Sequence, residues 1–323
     1  MTWVEAIVRA GAVPAAYVPD ASIGRSDVEG VAGAEPVEDQ EVALHAVEPG
    51  LRPPASFLDG IQYWRVVAYD RVTPVVRAHV AAAVRRRASD RRPATALHAS
   101  REIVVTRLAA LSPAVRRALE GSGADLRDLT DPEAGQPVRA LEHARRAVEQ
   151  ARVELERGLG ERHAAALGPD EWLVVDGVLS ESAVLAAHPR ALGVIKSHGA
   201  QYFEGEELER ALTLPAGHRT SVFRPRGRAR HDVYSWYLRL WPWEGNDLLY
   251  GLLRVETRPA AEAVALASRV GGWLYAERAP LSTPDARFDR LLYPIHDVET
   301  YLRTRAPRDL LPAPGSRLPK TGS

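Results

Sequence analysis

Hydrophobic and polar positions change rhythm several times along the chain, and each change marks an element. The run Ser56-Phe57-Leu58-Asp59-Gly60-Ile61-Gln62-Tyr63-Trp64-Arg65-Val66-Val67-Ala68-Tyr69 is rich in β-branched and aromatic residues, and Thr73-Pro74-Val75-Val76-Arg77-Ala78-His79-Val80-Ala81 nearly alternates. This predicts two adjacent strands joined by a hairpin around Asp70-Arg71. Arg85-Arg86-Arg87 through Arg92-Pro93 reads as a loop, and residues 101–111 read as a strand or a short helix. Gly, Asp, Ser and Pro over residues 121–137 mark turns. Apolar positions then recur at helical spacing over residues 138–166, predicting one long helix with Gly158 and Gly160 as bend points.

After Gly168-Pro169-Asp170, the segment Glu171-Trp172-Leu173-Val174-Val175-Asp176-Gly177 is a short apolar run bounded by turn signals, the mark of a buried strand. A helix over 182–188, a buried strand over 191–196 and a helix over 204–212 follow. Strands near 232–241 and 247–257 come next, then a helix over 260–274 and a last helix over 296–303 behind Tyr293-Pro294. Three strands, a long helix, then strand, helix and strand predict an α/β fold around a mixed sheet flanked by helices. The expected organisation is an irregular lead-in over 1–54, one folded domain over 55–306 with extra C-terminal strands and helices, and a flexible tail over 307–323 rich in Pro, Gly and Ser.

A chain of 323 residues can bury a large core without disulfides or structural metal. Its 42 basic and 42 acidic residues balance, which argues against a uniformly basic coat. With no cysteine there is no disulfide framework, no Cys-ligated zinc and no thiol catalysis, and a reducing cytoplasm is the expected location. Only two of the basic residues are lysines, Lys196 and Lys320, which singles out Lys196 as the one inside the body of the chain. No apolar run reaches the ~18–20 residues of a membrane helix. Glu5 and Arg9 interrupt the apolar start, so a signal peptide is not expected. Leu318-Pro319-Lys320-Thr321-Gly322 spells a sortase-type signal, but the apolar stretch and basic tail that sorting needs do not follow it, so it is read as coincidence or an appended tag.

Several chemistries lack their local signature here: there is no GxxxxGK[ST], HExxH, GxSxG or strand-linked GxGxxG, and the ten histidines are not spaced for zinc. The carboxylates remain. Asp59 and Asp176 each end or interrupt an apolar strand, and each precedes a glycine. A carboxylate in such a place is costly unless it is paired, caps a turn or binds a cation, and Asp-Gly is also an ordinary turn dipeptide. Glu142, Glu149 and Glu156 share one helix face, and strand and helix rises bring Glu154 to Glu156 level with Asp176. Glu156 is the choice, with Glu149 next if the helix stops early and a solvated face paired with Arg145 and Arg152 as the structural alternative. An Asp on the first strand, a Glu on the long helix and an Asp on the fourth strand form the layout of the ribonuclease H-like superfamily. Oxygen ligands of this kind suit two Mn2+ or Mg2+ ions that drive phosphodiester hydrolysis.

Residues 55 to 305 resemble the NurA family of nucleases. The resemblance rests on Asp59-Gly60 after a strand, the long acidic helix, Trp172-Leu173-Val174-Val175-Asp176-Gly177-Val178-Leu179, then Gly193-Val194-Ile195-Lys196-Ser197, and Tyr293-Pro294 opening a C-terminal helix. It implies a metal-dependent nuclease acting at DNA ends in repair or defence, built as a homodimer or ring and served by a HerA-type hexameric ATPase. It further implies Asp59, Glu156 and Asp176 as the metal set, Lys196 reaching a phosphate, and a further ligand from the last helix. The chain departs from the family in having Ile61 and Val178 where Ser follows Asp-Gly. It also has His296 and Asp297 close behind Tyr293, where the family places a histidine several residues on. Either residue is a candidate fourth ligand, and both also fit a helix-start cap.

For grip on nucleic acid, Arg224, Arg226, Arg228 and Arg230 form a dense basic loop ahead of Tyr234, Trp236, Tyr237, Trp241 and Trp243. Basic residues bind phosphates and aromatic faces stack unpaired bases, while alternating aromatics along a strand equally suit a core or a dimer interface. The rival to a nuclease is a catalytically inactive relative, a DNA-binding or scaffold subunit of a translocase. An RNA-directed nuclease of the same superfamily is the third reading.

Overall fold

The long apolar alternation after residue 54 builds an equally long hairpin. In the computed structural model, which describes residues 2–14, 32–87, 93–198, 200–227, 229–244, 246, 248–279 and 288–311, β4 (Ala55–Asp70) and β5 (Thr73–Arg87) pair antiparallel from end to end. β6 (Pro93–Thr106) pairs antiparallel with β5, and β7 (Asp125–Asp128) runs parallel to the end of β6. On the other side of β4, β8 (Trp172–Asp176) and β9 (Ala191–Ile195) continue the sheet in parallel. β12 (Tyr234–Arg239) and β13 (Leu252–Thr257) extend it antiparallel through the β13–β9 pair. The fold is α/β, one large mixed sheet flanked by helices, and the inner order β6-β5-β4-β8-β9 is consistent with the ribonuclease H-like layout expected from the sequence.

The helices cover the two faces. α3 (Pro137–Ala164) lays Ala144, Val148, Ala151, Leu155 and Leu159 against Leu58, Val80 and Leu173 on one face, with α4 (Ala183–Ala187) beside it. On the other face α6 (Ala261–Ala276) and α7 (Tyr293–Arg303) pack Val270, Trp273, Ile295, Val298 and Leu302 against Phe57, Ile61, Val174 and Val194. α3 is continuous through Gly158 and Gly160.

Several expectations are corrected. The stretch before residue 55 is not an irregular lead-in: α1 (Trp3–Arg9) carries a capping box from Thr2 and Glu5. β1 (Val13–Pro14), β2 (Ala34–Pro36) and β3 (Leu44–Ala46) all join the sheet, the last two through β11 (Phe223–Pro225) and β10 (His218–Thr220). Arg85, Arg86 and Arg87 are strand rather than loop, because cross-strand partners and carboxylates accommodate them: Arg85 pairs with Asp297, Arg86 with Glu171 and Arg87 with Glu277. The turn region 121–137 holds β7 as well. Asp59-Gly60 lies inside β4, not at its end. Of the tail expected over 307–323, residues 307–311 belong to the fold, since Leu310 joins the core and Asp309 pairs with Arg65 and Arg77; residues 312–323, with Lys320, lie outside the described residues.

Trp236 and Tyr237 belong to the core, at 1% and 6% exposure, so the alternation of β12 is that of a strand covered on both faces. Trp236→Ala should therefore cost about 3–5 kcal/mol of stability. A urea denaturation midpoint that falls accordingly is the expected result, and an unchanged midpoint with weakened DNA binding would return this residue to the surface.

Candidate active site

Strand register brings the two aspartates together. Leu58 is opposite Val175 in the parallel β4–β8 pair, so Asp59 and Asp176 stand one rung further on neighbouring strands, where β8 ends and β4 continues. Among the described residues the β8 side of β4 has no strand partner from Asp59 until Ala68 meets β1, so within them the two aspartates lie where the parallel ladder ends. Carboxyl ends of parallel strands at such a divergence are where α/β sheets place ligands. Gly177 follows at φ 139°, a conformation a side chain would resist, and turns the chain away immediately behind Asp176.

Side-chain parity then divides the neighbours between two faces. Asp59 alternates in phase with Phe57, Ile61 and Tyr63, which pack toward α7, and Asp176 pairs with Val194 on that same face. Lys196, just beyond β9, reaches back and donates from Nζ to Asp176 Oδ2 at 2.8 Å. Glu156 lies on the opposite side, on α3. Gly60 lets it in: a Cβ there would overlap the Glu156 carboxylate, so the glycine of the first Asp-Gly pair serves close approach rather than a turn. Arg152, one helical turn before Glu156, holds its carboxylate and also bonds Gln62 at 3.2 Å. Glu142 is exposed, Glu149 leans on Arg145 and Glu154 on Gln150, leaving Glu156 as the only one of the four glutamates that is buried.

Asp59 is 7% exposed, and its own Gly60 amide donates to its Oδ1 at 2.7 Å. Burial, then the Asp176 carboxylate, push the Asp59 carboxyl well above the ordinary range; Lys196 opposes this, and Glu299 and Glu156 add to it. Burial also raises the Glu156 carboxyl, with Arg152 pulling against it and Asp176 pushing the same way. Glu299, buried on α7, is the residue that sequence reasoning missed. Its signal was present in the helical spacing of Ile295, Val298, Glu299 and Leu302, which puts a glutamate on the buried face.

The other candidates fall elsewhere. Asp297 is turned about 160° around α7 from Glu299, at ~100° per residue, and is held by Arg85 at 2.5 Å. The structure therefore draws it away from Asp59. His296 shares the flank of α7 that carries Glu299 and Arg303, with a buried Nδ1 that has no hydrogen-bond partner. Arg224 pairs with Asp232 at 3.1 Å, Arg226 with Glu35, and Arg230 approaches Glu181 at 3.5 Å, while Arg228 lies outside the described residues. The basic loop is thus partly neutralised by its own neighbours.

Asp59 and Asp176 on adjacent rungs offer the hard oxygen donors that suit Mn2+ or Mg2+, and a cation there would offset the burial and the neighbouring carboxylate that together raise Asp59. The donors of this centre are spread more widely than those of Glu38, Asp39 and His45, the one group of three within 4.8 Å of one another among the described residues. That tighter group is already satisfied: Arg219 donates to both Glu38 oxygens at 2.7 Å, and Ser221 and His45 hold Asp39 at 2.7 and 2.9 Å. It reads as a clasp between the amino-terminal segment and β10. No protein-family model and no curated protein matches this chain. No helix among the described residues is long and apolar enough to cross a membrane.

The raised Asp59 carboxyl has a pH signature. A buried acid with an elevated folded-state pKa contributes stability below the unfolded value of about 4, and loses it as pH rises through the folded value. With EDTA present, Asp59→Asn should melt higher than wild type at pH 8, and the gap should close toward pH 4. Equal melting temperatures at both pH values would mean that Asp59 is not under this repulsion.

Proposed function

We propose that this chain is a metal-dependent DNA nuclease of the NurA type, hydrolysing phosphodiester bonds at DNA ends. The observation that carries the reading is the pairing of Asp59 and Asp176 one rung beyond the β4–β8 ladder, with Glu156 admitted from the other face by Gly60. Asp59, Asp176 and Glu156 would hold Mn2+ or Mg2+, and two such ions, when bound, supply activated water and stabilise the leaving oxygen. The chain's own groups complete the chemistry. The Lys196 ammonium beside Asp176 offers a donor to a phosphate oxygen. Arg152 orients the Glu156 carboxylate from the α3 side. By the same resemblance the active form is a homodimer in the cytoplasm, fed by a HerA-type ATPase.

One observation favours the second reading, an inactive DNA-binding scaffold. Lys196 and Arg152 already neutralise Asp176 and Glu156, as they would in a site retained only for structure.

Cleavage of end-labelled single- and double-stranded DNA decides between them. Wild type should cut with Mn2+ or Mg2+ and not with EDTA, and Asp59→Asn or Asp176→Asn should lose at least ~100-fold, since even outer-shell changes cost 10–100-fold. DNA binding without cutting, even with the ATPase added, and no effect of Asp176→Asn would establish the scaffold. Preferential cutting of RNA in competition would redirect the substrate.

A further inference from the structure

The centre contains a fourth carboxylate that no motif announced, and its surroundings point to a specific task. Glu299 projects from the buried face of α7 toward the side of β4 that bears Asp59, and its charge bears on the Asp59 carboxyl. Arg303, one turn later, donates from Nη2 to Glu299 Oε1 at 2.6 Å. Tyr63, four residues beyond Asp59 on the same face of β4, packs in the same core cluster as Ile295, Val298 and Leu302 of α7. Glu299 is thus held by Arg303 on the helix that covers this side of the sheet, opposite Glu156.

Two independent features make this more than a cluster of acids. Asp59 is more than nine-tenths buried, and among the described residues its one hydrogen bond comes from the adjacent Gly60 amide. Asp176, Glu156 and Glu299 each have a basic partner, in Lys196, Arg152 and Arg303, and Asp59 has none bonded to it. A buried carboxyl left in that position, with a like charge brought up beside it from a separate helix, must either hold its proton or share a cation with its neighbours.

We propose that Glu299 is the fourth ligand of the centre, positioned by Arg303, and that Asp297, held by Arg85, does not take that place. The inference rests on the nuclease reading of this site. Its chemical consequence is a shell made wholly of carboxylate oxygen, which suits hard Mg2+ as well as Mn2+, whereas an imidazole in the shell would tilt the site toward the transition metal.

Calorimetric titration of the full chain with Mn2+ and with Mg2+, with no DNA present, tests this apart from activity. Glu299→Gln should weaken Mn2+ binding by at least ~10-fold, as loss of a direct ligand should cost no less than loss of an outer-shell partner. Arg303→Gln should weaken it less, and Arg303→Lys should recover part of the loss, which a purely structural arginine would not do. Glu299→His should raise Mn2+ affinity relative to Mg2+. Thermal melting of each variant separates loss of a ligand from loss of fold, and Asp297→Asn should bind as wild type does. Unchanged Mn2+ affinity in a folded Glu299→Gln, or a loss seen only in His296→Ala, overturns the proposal. If Asp59→Asn and Asp176→Asn also bind Mn2+ as wild type does, the nuclease reading itself has failed, and that outcome is distinct from the failure of Glu299 alone.

Discussion

Repulsion between a buried carboxyl, Asp59, and its half-buried neighbour Asp176 is the constraint around which this centre is arranged. Asp59 and Asp176 are forced side by side by the register of two parallel strands, and neither can move away without breaking the ladder that pairs Leu58 with Val175. In a poorly solvated place such a pair is unfavourable by several kcal/mol unless positive charge is supplied. Lys196 supplies part of it from the next strand, at 2.8 Å from Asp176. The other basic partners of the centre answer the same problem: Arg152 on Glu156 and Arg303 on Glu299.

β4 acts as a wall with one opening. Phe57, Asp59, Ile61 and Tyr63 look toward α7, while Leu58, Gly60, Gln62 and Trp64 look toward α3. A side chain of any size at residue 60 would close the strand to Glu156. The glycine thus links the two helical layers chemically as well as sterically, because Glu156 and Asp176 influence one another from opposite sides of the sheet. This also explains why α3 must be long and unbroken: the packing of Val148, Ala151, Leu155 and Leu159 sets the height at which Glu156 meets that opening.

Much of this was legible in the residues. Periodicity and β-branching located the hairpin, α3, β8 and β9, because each buries a complete face and so carries an undiluted pattern. The choice of Glu156 followed from comparing rise per residue along helix and strand, and Glu156 is the one of those glutamates that the structure buries. The amino-terminal strands escaped notice because β2 and β3 are three residues each and take their partners from more than 150 residues away. The arginines of β5 looked like loop because charge normally marks solvent. Here Glu171, Glu277 and Asp297 come from distant elements to meet them, which no local pattern records. The partner of Asp297 was hidden for the same reason: it is Arg85, 212 residues earlier.

The charge balance of the centre carries the functional argument one step further. Four carboxylates, Asp59, Glu156, Asp176 and Glu299, face three bases, Arg152, Lys196 and Arg303, each base bonded to a different acid. A scaffold selected only for stability gains nothing by keeping the fourth acid buried, since replacing a buried charge by an apolar group of similar volume is commonly neutral or stabilising. A centre that is to attract a divalent cation would gain, because Asp59, the one acid of the four with no basic partner bonded to it, lies at the rung where β8 ends. The residue hardest to justify by folding alone is thus the one best placed to exchange its proton for an ion.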